Sequence, residues 1–225
     1  MVPEIRRAFS EELERLHLDV VRLGVLALEA IHRGSEALIA FDLGAVDDCI
    51  AHDGELDRLT DNIEERIYLL LATQAPVASD LRVMVTMLRA VHELERIGDY
   101  MVNVAKATRR LQPEPLEPRI LGILDQMQRQ ASAQLELALD AFAQRDPSQG
   151  SDLPAMDDVM DELTRELFRT IFAMSADHDE AIQRAVQLAL VGRYYERVAD
   201  HAVNVGERVD YMVTGHFHEH PVADS

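Results

Sequence analysis

A chain of 225 residues, 48% of them apolar, can bury a real core as one large domain or two small ones. Its formal net charge of −19 argues against attachment to nucleic acid or an anionic membrane through charge alone, and leaves cations or basic partner surfaces as binding classes. Cys49 is the single cysteine, which excludes an internal disulfide and a Cys-based zinc site, and a reducing cytoplasm fits this.

No stretch approaches a membrane span, and Met1 to Arg7 has no signal-type apolar run behind it. The core is Leu, Val, Ile, Ala and Met with no Trp, which suits packed helices better than a sheet.

Leu13, Leu16, Val20, Leu23, Ala27, Ile31 and Leu38 recur at helical spacing and predict a first helix from Phe9 to about Phe41, with Ser10 as its N-cap. Asp42 caps a second, with Gly44 in the junction, running through Val46, Ile50, Leu56, Leu59, Ile63 and Ile67 to about Ala72. Thr73 to Ser79 is a turn around Pro76. A third helix follows from Ser79 or Asp80 to about Leu111. Each helix has the length of roughly 45 Å.

Three prolines between Gln112 and Pro118 make a stiff linker. The pattern then restarts, with a fourth helix from about Arg119 to Gln144. A fifth follows Pro147, its start kinked or delayed to Ser151 or Asp152, and ends at a turn over Met174 to Asp179. A sixth runs from about Glu180 to Thr214, with Gly215 as its C-cap. The fold expected is all-α: two tandem three-helix bundles, residues 1–111 and 119–215, joined by the linker 112–118 and followed by a His-containing tail 216–225. One continuous six-helix array is the alternative.

The duplication is legible in detail. Glu95-Arg-Ile-Gly-Asp99-Tyr-Met-Val-Asn103-Val returns as Glu196-Arg-Val-Ala-Asp200-His-Ala-Val-Asn204-Val. The acidic pair Asp53 and Asp57 on the second helix returns as Asp157 and Asp161 on the fifth. Spacing by four puts each pair on one helix face.

Asp57 and Glu95 are equidistant from Pro76, as are Asp53 and Asp99, so an antiparallel hairpin sets them level. The second set is likewise centred between His178 and Asp179, which sets Asp161 beside Glu196 and Asp157 beside Asp200. The spacing fixes level along the bundle and leaves open whether the faces meet.

Four carboxylates in one patch must be protonated, solvated or neutralised. They suit Mg²⁺, Mn²⁺, Ca²⁺ or oxidised iron, and Zn²⁺ can use them. A solvated acidic face is the plainer reading. Asn103 and Asn204 extend the stripes as weak or outer ligands or as surface residues, and His92 and His201 stand near them. Arg96 and Arg197 serve an intra-bundle salt bridge or a phosphate contact.

Glu14-x-x-His17 and Glu29-x-x-His32 match half of a di-iron signature, but both lie on one helix and read as chance matches with exposed side chains. His216, His218 and His220 in the tail form a tract able to take Ni²⁺ or Zn²⁺, though an unstructured terminus is the plainer reading. No phosphate loop, catalytic triad order or nucleophile elbow occurs, so an enzyme has little to stand on.

Together with Gln74-Ala-Pro-Val-Ala-Ser-Asp-Leu-Arg82 and Tyr211-Met-Val-Thr-Gly215, the two acidic motifs make the chain resemble the PhoU family from about Phe9 to Gly215. The resemblance implies a pair of three-helix bundles carrying multinuclear iron or zinc clusters on Asp53, Asp57, Glu95, Asp99, Asp157, Asp161, Glu196 and Asp200. It implies a cytoplasmic, non-catalytic adaptor, expected as a homodimer, between a phosphate ABC transporter and a sensor histidine kinase. Such an adaptor represses phosphate uptake and starvation signalling, with peripheral membrane association compatible. Gly54 and Ala199 depart from the family's usual acidic residue and Gly. A metal-free adaptor with acidic docking faces, and a carboxylate-metal oxidase, are the alternative readings.

Overall fold

Helix breakers and caps set the ends of six helices. The computed structural model describes residues 2–111, 115–174 and 179–216. The helices are α1 (Val2–Ile39), α2 (Leu43–Gln74), α3 (Ser79–Leu111), α4 (Pro118–Gln144), α5 (Leu153–Ala173) and α6 (Asp179–Thr214). Among the described residues there is no strand.

Asp42 caps α2, its Oδ1 accepting from the backbone N–H groups of Gly44 at 2.7 Å and Ala45 at 3.4 Å. Gly44 is therefore inside the first turn of α2. Gly215 ends α6 with φ of 78°, a left-handed conformation that glycine adopts without a Cβ clash. A short 3₁₀ turn, Pro147–Gly150, delays α5 to Leu153.

The start of α1 differs from the expectation. Ser10 is not an N-cap; it lies inside the helix, its hydroxyl donating to the Arg6 carbonyl at 3.0 Å. The earlier start suits Pro3, since a proline in the first turn lacks only an N–H that would be unpaired there. The linker residues 112–114, the turn residues 175–178 and the tail 217–225 fall outside the described residues.

The repeat is visible in which residues are buried. Leu16, Val20, Leu23, Ala27, Ile31 and Leu38 line the core side of α1, and their counterparts 104 positions on, Ile120, Leu124, Met127, Ala131, Leu135 and Phe142, do so on α4. Leu56, Ile63 and Ile67 of α2 correspond in the same way to Met160, Leu167 and Ile171 of α5. Leu94, Ile97 and Val104 of α3 correspond to Tyr195, Val198 and Val205 of α6, 101 positions on.

One apolar core runs through all six helices. α1, α3, α6 and α4 form a four-helix centre in which α1 lies along α4 and α3 along α6; α2 packs outside α1 and α3, and α5 outside α4 and α6. Both central pairs are antiparallel. His17 stacks on Phe142 with centroids 5.0 Å apart, while His32 meets Gln128 at 3.1 Å. At one end of the other pair Arg184 donates to the carbonyls of Leu111 at 2.5 Å and Pro115 at 2.7 Å.

Gly24 lets α1 approach α4, because a Cβ there would overlap the Leu139 side chain. Across the centre, the fully buried Tyr195 hydroxyl meets Ser35 Oγ at 2.7 Å, and Ser35 donates to the Ile31 carbonyl at 2.6 Å.

His17 is buried rather than exposed. Its ring packs flat on Phe142, Nε2 reaches the Ala143 carbonyl at 3.2 Å, and burial lowers its pKa. Glu14 points elsewhere, to Arg145 at 2.6 Å, so the Glu-x-x-His match has no site behind it.

Candidate metal centre: two acidic patches

Hairpins α2–α3 and α5–α6 each carry two acidic pairs, one on either helix. In the first, burial raises the pKa of Asp53, and the charges of Asp57 on its own helix and Asp99 across the groove raise it further. Burial and the nearby charges of Asp99 and Asp57 raise that of Glu95. The charge of Asp99 thus acts on Asp53, and that of Asp57 on Glu95, across the groove between α2 and α3. Gly98 permits the approach: a Cβ there would lie 3.0 Å from Leu56 Cδ1 and 3.5 Å from Asp53 Oδ1. Its counterpart Ala199 is fully buried, as is Met160, the counterpart of Leu56.

The second patch is built alike. Burial raises the pKa of Asp157, as do the charges of Asp200 across the groove and Asp161 one turn away. Burial also raises that of Asp200, with Arg197 opposing and Glu196 adding to it.

Arginines partly neutralise both patches, chiefly from within the same helix. Arg96 donates to Asp99 at 3.0 Å and to the Tyr100 hydroxyl at 3.2 Å, and Arg197 pairs with Asp200 at 3.5 Å. Arg193 pairs with Glu196, and Arg165 with Asp161 at 3.5 Å and with Glu162. His92 lies 3.7 Å from Glu95. As the side chains stand, no three His, Cys, Asp or Glu groups among the described residues converge tightly enough to enclose an ion.

Three observations fit the patches to a cation nonetheless. All eight carboxylates are present as hard oxygen donors on facing helices. Burial, and then neighbouring carboxylate charge, raise the pKa of Asp53, Glu95, Asp157 and Asp200, and a nearby cation would oppose both. Glu196 gives one oxygen to Arg193, while its Oε2 is buried without a hydrogen-bond partner.

Asn204 and His201 do not belong to the second patch. They face α3, where Glu93 Oε2 accepts from Asn204 Nδ2 at 3.1 Å and lies 2.5 Å from His201 Nδ1. Burial works to raise the Glu93 pKa, but these two hydrogen bonds and the positive charges of His201 and Arg208 outweigh it and leave the carboxyl below its usual range. Sequence reading missed Glu93 because its counterpart is Tyr194, so no repeat marks it.

Cys49 lies one turn before Asp53. Burial, and then the Asp53 charge, push its thiol up to about 11, so it is protonated and not a ready metal ligand.

Comparison with known proteins agrees with the duplicated geometry. The PhoU domain model matches twice, over residues 20–108 and 124–209. The chain is 35% identical over 210 residues to a Synechocystis protein named phosphate-specific transport system accessory protein PhoU homolog, covering 93% of each chain. It is 35% identical over 216 residues to the Mycobacterium leprae PhoU homolog 1, covering 96% of each. The crystal structure of PhoU from Pseudomonas aeruginosa superposes with a TM-score of 0.86 at 30% identity, covering 92% of this chain and all of that one. The phosphate transport system regulatory protein PhoU from Streptococcus pneumoniae gives 0.83 at 28% identity, covering 94% of this chain and 99% of that one. With both halves matched and nearly the whole length shared, this chain belongs to the PhoU family.

Proposed function

We propose that the protein is a negative regulator of phosphate uptake and phosphate-starvation signalling, acting by contact and catalysing nothing. The double match to the PhoU domain carries this reading, together with relatives of nearly equal length named as accessory proteins of phosphate-specific transport. The two repeats, 1–111 and 119–215, form a cytoplasmic adaptor, assembled as a homodimer, between the ATPase of a phosphate ABC transporter and a sensor histidine kinase. No helix among the described residues is long and apolar enough to cross a membrane, and peripheral membrane association is compatible with this role. Deleting the gene and measuring phosphate-starvation transcripts in phosphate-rich medium tests the role. Derepression is expected; unchanged repression would sink it.

The patches are proposed metal sites, with Asp53, Asp57, Glu95 and Asp99 on one and Asp157, Asp161, Glu196 and Asp200 on the other. Iron or zinc is the expected occupant, with magnesium or manganese also suited to these donors. A bound cation would supply positive charge that ties the outer helix of each hairpin to the central one. Elemental analysis of untagged protein purified without chelator tests this, and less than about one metal per patch would remove it.

The second reading is a metal-free adaptor whose acidic faces dock basic partners, favoured by the arginine pairs already on both patches. An oxidase reading predicts oxygen consumption with ferrous iron, and no turnover would dispose of it.

A further inference from the structure

The two patches carry four corresponding carboxylates each, but their surroundings have diverged. Gln134 of α4 is completely buried, and its Nε2 donates to Asp157 Oδ1 at 3.5 Å. Its Oε1 is buried with no hydrogen-bond partner. The counterpart of Gln134, by the same 104-residue correspondence that aligns the buried faces of α1 and α4, is Ala30. Ala30 has no polar side-chain atom, and beside Asp53 it borders a small cleft also lined by Leu26, Cys49 and Leu56.

A fully buried amide with an orphaned oxygen is costly, because the oxygen has lost water and gained no donor. Burying it against a carboxylate is stranger still, because only its NH₂ end can face Asp157 favourably. The two ends of the amide differ by a half-turn of the terminal torsion. With a cation among the carboxylates, the oxygen becomes the end that belongs there. Amide oxygens are regular ligands of hard divalent cations.

The charged neighbours of the two patches also differ. Arg165 and Arg193 pair with carboxylates of the second patch, whereas their counterparts in the first repeat are Asp61 and His92. In turn Asp158, whose charge acts on Asp157, has Gly54 as its counterpart, and Lys106, whose charge acts on Asp53, has Glu207. A neutral oxygen would add to a cation's ligand set at the second patch without adding to its charge. Glu196 Oε2, the other buried oxygen without a partner, is at this same patch.

We infer that Gln134 is a neutral oxygen ligand of a divalent cation at the second patch, beside Asp157, Glu196 and Asp200, and that the first patch binds its cation without such a donor. The inference rests on the reading of both patches as metal sites. It makes the duplicated sites unequal, the second alone having an uncharged oxygen ligand beside its carboxylates.

Manganese titration of the chelator-treated full-length protein, followed by the electron paramagnetic resonance signal of free Mn²⁺, tests this. Asp157→Asn with Asp200→Asn identifies the binding step that belongs to the second patch. Gln134→Leu keeps the volume and removes the donor; it should weaken that step by about tenfold and leave the other unchanged. Gln134→Glu should tighten the same step. Without metal the added carboxylate should lower the melting temperature, and Mn²⁺ should restore it; a merely structural glutamine would not give that reversal.

If both Gln134 variants keep wild-type helicity and leave every binding step unchanged, the inference is overturned while the metal reading stands. If the Asp157→Asn, Asp200→Asn protein binds as the wild type does, or the wild type binds no Mn²⁺, the metal reading of that patch falls and the inference with it.

Discussion

Glu93 on α3 and His201 on α6 meet at 2.5 Å, and their counterparts in the repeat, Tyr194 and Tyr100, meet across the same helix pair with ring centroids 6.0 Å apart. One contact, written twice by the duplication, is a hydrogen-bonded polar pair in one copy and an aromatic stack in the other. Tyr100 also lies 5.5 Å from the His201 ring, so the two contacts adjoin.

Replacing Glu93 by Ala leaves His201 and Asn204 without their shared acceptor in a half-buried seam. A loss of about 1–3 kcal/mol in denaturant-derived stability is expected at neutral pH. Because the folded carboxyl titrates below its ordinary range, its contribution is complete above that range and fades as pH falls through the folded value. The stability gap between wild type and Glu93→Gln should therefore close on acidification below about pH 4. A gap that widens there would be inconsistent with the pair.

Asp53 predicts the opposite sign. Its pKa is raised by burial and by Asp57 and Asp99, so its charge opposes folding in the metal-free protein. Asp53→Asn should stabilise chelator-treated protein at neutral pH. The gain should shrink as pH falls from the raised folded value toward the ordinary carboxylate value, where wild type becomes protonated in both states. Thermal melts across that range check the slope.

Divalent cation should stabilise the wild type through its carboxylates. At a hundredfold excess over the dissociation constant the expected gain is about 2.7 kcal/mol per independent site. A variant carrying Asn at Asp53, Asp57, Asp157 and Asp161 should lose that response. Calorimetry with and without chelator reads both.

Gly24→Val places a branched side chain into Leu139 at the α1–α4 contact. Overpacking of this kind costs about 1–3 kcal/mol. Pairing it with Leu139→Ala should recover part of the loss, a coupling that a double-mutant cycle measures.

Much of this architecture was legible because long helices repeat their apolar spacing many times. Val20, Leu23, Ala27 and Ile31 are all fully buried, as their spacing requires. The level of the acidic pairs was legible from Pro76, because an antiparallel hairpin leaves no freedom along its axis once the turn is fixed. Rotation about the helix axes is set by long-range packing and had to be seen. The position of Glu93 depends on how α3 meets α6, which no local pattern records. His17 was misread for a related reason: it is amphipathic enough to lie on either side of α1, and Phe142 decides which. Ser10 misled because a serine within a helix can bond back to the preceding turn as well as cap the next.

The antiparallel meeting of α3 with α6 bears on how such a chain could arise. A seam whose contacts exchange when the repeats exchange is one that a single-repeat ancestor could form with a second copy of itself, as a twofold homodimer. In such a homodimer of identical repeats, both contacts of each pair would be the same. Fusion removed that constraint. Glu93 with His201 and Tyr100 with Tyr194 are then two fates of one ancestral contact, and a chain carrying both can no longer mistake its first half for its second.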